Sequence, residues 1–369
     1  MSKINYKIAL VHDALVNRGG AEWVFQNFVE MFPDSTIYTT VYLEDKTYPF
    51  FIGKNIKTTP LQKIVKNDNQ LKTLFPVANF YMKQLKIEPC DIILSSSTFS
   101  AKYISKNNSK HVCYCYTPFR LLWSPDSYLT NGRSNFKLEF IKPFLSILRK
   151  MDYNASAKVD QFISMNKETH DRIESIYGKE SIIIHPPIDV TKYGIGTGDG
   201  EYYLVVSRLE PYKKVEIVID AFNKLNLPLK IVGKGTMEKE LTKKAKSNIE
   251  FLGSVTDEEL IKIYQGSRAV IFPQKEDYGL VPLEANACGV PVICYGYGGV
   301  QTTMVPWSDS GKSTGTALYF NEQTTDSLMD AVKRFDKINF NKNSLLNNAK
   351  RFDKPIFKQK IFKVLENIL

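Results

Sequence analysis

The stretch HPPIDVTKYGIGTGDG, residues 185–200, interrupts a regular alternation of short apolar runs and amphipathic segments. It holds two prolines and four glycines, a composition that ends secondary structure and suits a hinge. Before it, KIALVHD, STIYTTVY, DIILSSS, HVCYCYT, QFISM and SIIIHPP read as strands, and GAEWVFQNFVEMF and KETHDRIESIYG as helices. After it the alternation restarts. YYLVVSRL, LKIVGKG, IEFLGSV, AVIFP and PVICYG read as strands; KVEIVIDAFNKL, MEKELTKKAK, DEELIKIYQGS, VPLEANACG and TDSLMDAVKRF read as helices. Near-continuous apolar strands between helices predict parallel sheets covered on both faces. The fold class is therefore α/β, with two doubly wound domains on either side of the hinge.

A chain of 369 residues exceeds what one small core organises, which agrees with two domains. The five cysteines (Cys90, Cys113, Cys115, Cys288, Cys294) are odd in number, so a disulfide framework is not expected and a reducing compartment is. Cys113 and Cys115 have no second Cys/His pair near them in sequence, which argues against zinc. No apolar run reaches the roughly 18–20 residues of a spanning helix. The opening MSKINYKIALVHDALVNRGG has an apolar core too short for export, so a cytoplasmic location is expected. The net charge of +10 is uneven: residues 102–150 hold nine Lys/Arg against Asp126 and Glu139, and residues 54–72 hold five lysines against Asp68. Such a basic half points to an anionic partner: a phosphorylated substrate, an acidic membrane face or nucleic acid. No nucleic-acid recognition motif accompanies the charge, so no nucleic-acid partner is expected.

In open parallel sheets ligands bind beyond the carboxyl ends of strands, at helix N-termini. Four loops qualify. In VHDALVNRGGAEWVF, Gly19 and Gly20 follow a strand and open a helix, without the full dinucleotide spacing. In VSRLEPYKKVE, Arg208 ends a strand and Lys213 and Lys214 precede a helix, an arrangement suited to a diphosphate. In EDYGLVPLEANACGVPVI, residues 276–293, Pro282 suits the first turn of a helix and Gly289 its end. Glu276 then lies before the helix and Glu284 on it, with backbone N–H groups of Gly279, Leu280 and Val281 between them. Two carboxylates so placed reach different parts of one extended ligand, with an anion held by the amides. A nucleotide sugar fits: hydroxyls of the sugar on one Glu, ribose on the other, diphosphate between. A hydrolytic pair would instead flank one bond. The fourth loop, YGYGGVQ at 295–301, carries Gly298 and Gly299 as a further close-approach turn.

Taken together these residues resemble the retaining GT-B glycosyltransferases of family four, over nearly the whole chain. EDYGLVPLE matches the family's E-x7-E motif and SRLEPYKK its Arg/Lys diphosphate motif; NIEFLGSVTDEEL and EANACGVPVICYGYGG also match. RGGAEWV, FPDSTIYTTVY, SSSTFSAK and CYCYTPFRLLW resemble a subgroup that transfers mannose and related sugars in O-antigen and exopolysaccharide assembly. The resemblance implies two Rossmann-like domains facing a cleft. The N-terminal domain, residues 1–187 with a returning helix at 354–369, would bind the acceptor. The C-terminal domain, residues 188–353, would bind the nucleotide-diphosphate sugar.

By the same resemblance, Arg208 and Lys213 neutralise the diphosphate leaving group, Glu276 binds the donor sugar and Glu284 the ribose. Gly19, Gly20, Gly279, Leu280 and Val281 belong to the donor side; Thr98, Tyr116 and Arg120 line the acceptor or sugar pocket. The implied reaction is retaining transfer, with mannose from GDP-mannose favoured, to a polyprenyl-diphosphate-linked or growing glycan in bacterial surface-polysaccharide synthesis. No D-x-D occurs, so no metal and no other cofactor are expected. The chain departs from the pattern at three positions. Tyr116 stands where YCHTP commonly has histidine, Thr98 where SSSH is common, and Thr302 replaces a frequent glutamate. A non-catalytic partner subunit, or a sugar-nucleotide epimerase or phosphorylase of the same fold, is the alternative. NFKLEFIKPFLSILRK, residues 135–150, spaces Phe136, Phe140, Phe144, Ile147 and Leu148 as on a helix among basic residues, with a kink or split at Pro143. Such a segment suits an anionic membrane surface.

Overall fold

The computed structural model describes residues 6–125, 144–196, 200–308 and 314–369. The chain divides into two compact units, residues 1–186 with 357–369, and residues 187–356.

The first unit is built on seven parallel strands: β1 (Ile8–His12), β2 (Ile37–Thr39), β3 (Ile56–Thr58), β4 (Ile92–Ser97), β5 (Lys110–Cys115), β6 (Gln161–Ser164) and β7 (Ser181–Ile183). Their spatial order is β3-β2-β1-β4-β5-β6-β7. The second unit has six: β8 (Tyr202–Val206), β9 (Leu229–Val232), β10 (Ile249–Gly253), β11 (Ser267–Phe272), β12 (Val292–Tyr295) and β13 (Ala317–Phe320), ordered β10-β9-β8-β11-β12-β13. Each sheet therefore grows outward in both directions from its first strand, the doubly wound order. The order reverses between β1 and β4 in one sheet and between β8 and β11 in the other. There neighbouring loops leave in opposite directions and open a crevice beyond the strand ends.

Local chemistry sets the helix limits. The helix Lys167–Tyr177 opens where the Asn166 side chain accepts from the Thr169 amide, and stops at Gly178 in the left-handed region, φ 63°. The helix Asp257–Gln265 begins with a reciprocal capping box between Thr256 and Glu259. In the second unit Val218, Ile219 and Phe222 of the helix Val215–Leu225 and Leu328 and Val332 of the helix Thr325–Phe335 pack with Tyr203, Val205 and Ile231 of the sheet.

Two features brace the first unit. Asp152, on the helix Leu145–Ala157, is 1% exposed and pairs with the equally buried Lys102 at 2.8 Å. Its carboxylate also accepts from Tyr103 Oη (3.1 Å), Trp123 Nε1 (2.8 Å) and Tyr177 Oη (2.6 Å). One carboxylate thereby ties four chain segments together. The last helix, Lys354–Ile368, sets Phe357 against Phe28 and Tyr114, with ring centroids 5.7 and 6.1 Å apart, and Phe362 against Phe32 at 5.7 Å.

The amphipathic segment expected over 135–150 falls largely outside the described residues, including Phe136, Phe140 and Pro143. Its described end corrects one placement. Leu148 is partly buried and packs with Phe75, Phe119 and Leu145, so it does not belong to the outer face. Phe144, Ile147 and Met151 are exposed, with Lys150 beside them.

Candidate functional site

At the switch point of the second sheet, two loops meet. After β8, Arg208 lies in a turn that leads through the 3-10 segment Pro211–Lys213 and a left-handed Lys214 (φ 56°) into the helix Val215–Leu225. After β11, Glu276 lies in the loop before the helix Leu280–Ala287. The Lys213 ammonium forms an ion pair with the Glu276 carboxylate, across the switch point. Gln274 Nε2 donates to the same carboxylate at 3.3 Å. The Arg208 guanidinium donates to Tyr212 Oη at 2.6 Å, and Lys213 Nζ lies 5.2 Å from the centre of the Tyr212 ring. Burial, with a smaller contribution from the Arg208 charge, pulls the Lys213 pKa down to about 8.

Glycines hold both loops in place. Gly298 has φ 83°, and the Gly299 amide donates to the Glu276 carbonyl at 2.6 Å. A Cβ on Gly299 would overlap the backbone of Tyr278, and one on Gly233, after β9, would overlap the Ser207 carbonyl. The turn at 295–301 thus presses the Glu276 loop into shape, and LKIVGKG does the same for the Arg208 loop. Gly279 is the N-cap of the helix Leu280–Ala287, with no side-chain cap. The amides of its first turn have no acceptor within the helix, which leaves them for an anion. Gly289, at φ 74°, ends it. Glu284 has a separate set of partners: it accepts from Tyr264 Oη at 2.8 Å and from Tyr193. Burial raises its pKa and the two hydroxyls oppose the rise. Glu276 faces a lysine and Glu284 two tyrosines, so the two carboxylates do not form an acid/base pair.

The remaining predicted residues lie in the first unit. Gly19 caps the helix Gly20–Met31, whose first residue is Gly20. Thr98 follows β4, and its amide donates to Asp13 at 2.5 Å. Asp13 also accepts from the amides of Phe99, Ser100 and Ala101 at 3.0, 2.8 and 2.6 Å, folding the whole SSSTFSAK turn around one buried carboxylate. Tyr116 directly follows β5; its hydroxyl turns inward, donating to the Ala21 carbonyl at 2.9 Å and meeting Ser96 Oγ at 2.8 Å. Arg120 opens the short helix Arg120–Trp123. Glu22, in the first turn of its helix, is buried, and desolvation pushes its carboxyl up to about 7. Arg208, Lys213, Glu276, Gly279–Val281 and Glu284 therefore share one unit, and Gly19, Gly20, Thr98, Tyr116 and Arg120 the other. His12, Asp13, Glu22, Ser96, Tyr193, Tyr264 and Gly233 were missed in the sequence. The available signal was polarity at the ends of apolar strands, in VHD and SSS.

Residues 192–352 match the family model for glycosyl transferases group 1. The O-antigen chain mannosyltransferase C of Escherichia coli is 33% identical over 99 residues, covering 25% of this chain and 27% of that protein. The serotype-specific mannosyltransferase WbdA of Escherichia coli is 26% identical over 231 residues, 54% of this chain and 27% of that protein. The chain thus matches less than half the length of these relatives. Anabaena Alr3699/HepE, crystallised with UDP, superposes with a TM-score of 0.71 at 16% identity, covering 98% of this chain and 100% of that one. The fold is GT-B.

Proposed function

We propose that this chain is a retaining glycosyltransferase that moves a sugar from a nucleotide-diphosphate donor to a lipid-linked or growing glycan. The observation that carries this reading is the meeting of Lys213, Arg208 and Glu276 with the open helix start at Gly279–Val281, at the switch point of the second sheet. The second unit takes the donor. Arg208, Lys213 and the first-turn amides receive the diphosphate, Glu276 the sugar hydroxyls and Glu284 the ribose. As the glycosidic bond breaks, the leaving phosphate gains charge, and cations and N–H dipoles already in place favour that change. The same phosphate accepts the proton of the incoming hydroxyl, so retention needs no separate base and no metal. The relatives named as mannosyltransferases favour mannose as the sugar, and GDP-mannose is the donor we propose for it. The neighbour crystallised with UDP makes UDP-sugars the second arm of the test. Purified protein is to be screened against GDP- and UDP-sugars for binding, hydrolysis and transfer, with and without a chelator. No binding of any nucleotide sugar would end the reading.

The Lys213 pKa sets a pH dependence. Its ordinary value is 10.5 and its value here about 8, so the charge that meets the diphosphate is lost as pH rises through about 8. Affinity for GDP or UDP, measured by calorimetry, is expected to fall over that interval. An affinity flat to the ordinary lysine range would contradict the placement of Lys213.

Phe144, Ile147 and Met151 follow an i, i+3, i+7 spacing and form one exposed stripe beside Lys150. No described helix is long and apolar enough to cross a membrane. We therefore expect surface binding to anionic lipid, where a polyprenyl-linked acceptor would lie. The protein should float with anionic vesicles at low salt and be released at high salt, and Ile147→Glu should abolish flotation. Absence of flotation at low salt would remove the membrane from the scheme.

A further inference from the structure

We propose that His12 presents an unprotonated Nε2 as hydrogen-bond acceptor to a ligand hydroxyl, and that Ser96 and Tyr116 are positioning residues that fix this tautomer. The sugar as bearer of that hydroxyl rests on the glycosyl-transfer reading; the tautomer does not.

The proton positions follow from counting hydrogens. Tyr116 Oη lies 2.9 Å from the Ala21 carbonyl, which can only accept, so the single phenolic hydrogen points there. Tyr116 then has no hydrogen left for Ser96, whose Oγ is 2.8 Å away; Ser96 must donate to Tyr116. The serine hydrogen is thereby used as well. His12 Nδ1, 3.0 Å from Ser96 Oγ, must supply the hydrogen of that last contact. A chain of three donors ends on one backbone carbonyl and runs back to a protonated Nδ1. Burial holds the His12 pKa down at about 4, so at neutral pH the ring carries one proton and Nε2 keeps a bare lone pair.

The setting points to a ligand. His12 is 2% exposed, ends β1 in register with Ser96 and stacks on Phe25 at 4.6 Å. The ring is fixed in place, and its described hydrogen bonds run to Ser96, to the hydroxyl at Nδ1 and to the backbone. An Nε2 left open on a ring that is 2% exposed is a fixed acceptor for a hydroxyl that enters from the crevice, in exchange for water. The position is the switch point of the first sheet, where ligands bind in such sheets. A lone pair disfavours phosphate oxygens and accepts from hydroxyls. Asp13, next in the chain, is already engaged by Thr98, Phe99, Ser100 and Ala101, so it does not join His12 in holding a metal ion.

The test is the histidine nitrogen spectrum of the full chain labelled with ring ¹⁵N. Four histidines are present, and the His12 signals are assigned by their loss in His12→Asn. At neutral pH, Nδ1 is expected protonated and Nε2 bare. Tyr116→Phe removes the acceptor for the Ser96 hydrogen, which becomes free to point at Nδ1; the His12 proton should then shift toward Nε2. A role in packing alone would not move this signal. His12→Asn keeps a polar atom near the Nδ1 position and deletes Nε2. It should lower kcat/KM for transfer by about tenfold or more, the effect of one hydrogen bond left unmade. Its affinity for GDP or UDP, bound by the other unit, should be unchanged, and an unaltered urea midpoint by tryptophan fluorescence reports that the unit carrying His12 is folded. A proton on Nε2 in the wild type, an unaltered tautomer in Tyr116→Phe, or wild-type turnover by His12→Asn would each overturn the proposal. If the wild type turns over no nucleotide sugar, the glycosyl-transfer reading fails, and the wild-type Nε2 proton still decides this one.

Discussion

Lys213→Ala is expected to weaken GDP or UDP binding by about tenfold to a hundredfold, the range for a hydrogen bond to a charged group. Glu276→Ala should behave in the opposite way toward the bare nucleotide. Without donor, the two side chains neutralise each other. Removing the carboxylate frees the ammonium, so the nucleotide diphosphate should bind at least as tightly as to wild type. Turnover should nevertheless fall by about a hundredfold or more, because the group proposed to orient the reacting sugar is gone. Calorimetry with the nucleotide and initial rates with the nucleotide sugar separate the two effects. A double variant also tests the pairing: the two changes should not add, since each removes the other's partner. Additive losses of affinity, or wild-type rates in Glu276→Ala, would show that the pair plays no part in donor binding.

Asp152→Ala should be the most destabilising single substitution proposed, costing about 3–5 kcal/mol, because it strands a buried cation. Lys102 would lose its carboxylate partner in a site 1% exposed, and Tyr103, Trp123 and Tyr177 would lose an acceptor. Urea unfolding followed by tryptophan fluorescence should report an earlier transition, since Trp123 is one of the donors. Asp152→Leu combined with Lys102→Met should recover part of the loss by removing the stranded charge. Recovery should be incomplete, because three side-chain donors would still lack an acceptor. A midpoint unchanged in Asp152→Ala would mean that the cluster contributes nothing net.

These predictions mark the border of what the sequence made legible. Strands such as Ile92–Ser97 and Val292–Tyr295 are buried on both faces, so their apolar runs stood out. Strand Ile56–Thr58 is three partly buried residues at a sheet edge, with a lysine at its centre, and the four-residue Ala317–Phe320 follows a polar stretch. Neither carries enough pattern to be read. In the site, the residue types of Arg208, Lys213 and Glu276 were legible because charge at a strand end is conspicuous. That Lys213 pairs with Glu276 was not, because the pairing depends on β8 and β11 lying side by side in an order the chain does not follow. His12 and Asp13 were passed over as the start of a loop. Their burial arises only when β4 brings Ser96 and the following amides against them.

The last helix bears on how the chain is made. It packs Phe357 on Phe28 and Tyr114, and Phe362 on Phe32, within the unit whose sheet begins at Ile8. A ribosome delivers residues in order, so that aromatic face of the early unit waits, uncovered, while all of the second unit is synthesised. During that interval the nascent chain displays a large apolar surface of the kind chaperones bind. Truncation before Phe357 would make that state permanent. Such a product should be recovered in aggregates or bound to chaperones even if its second unit folds normally.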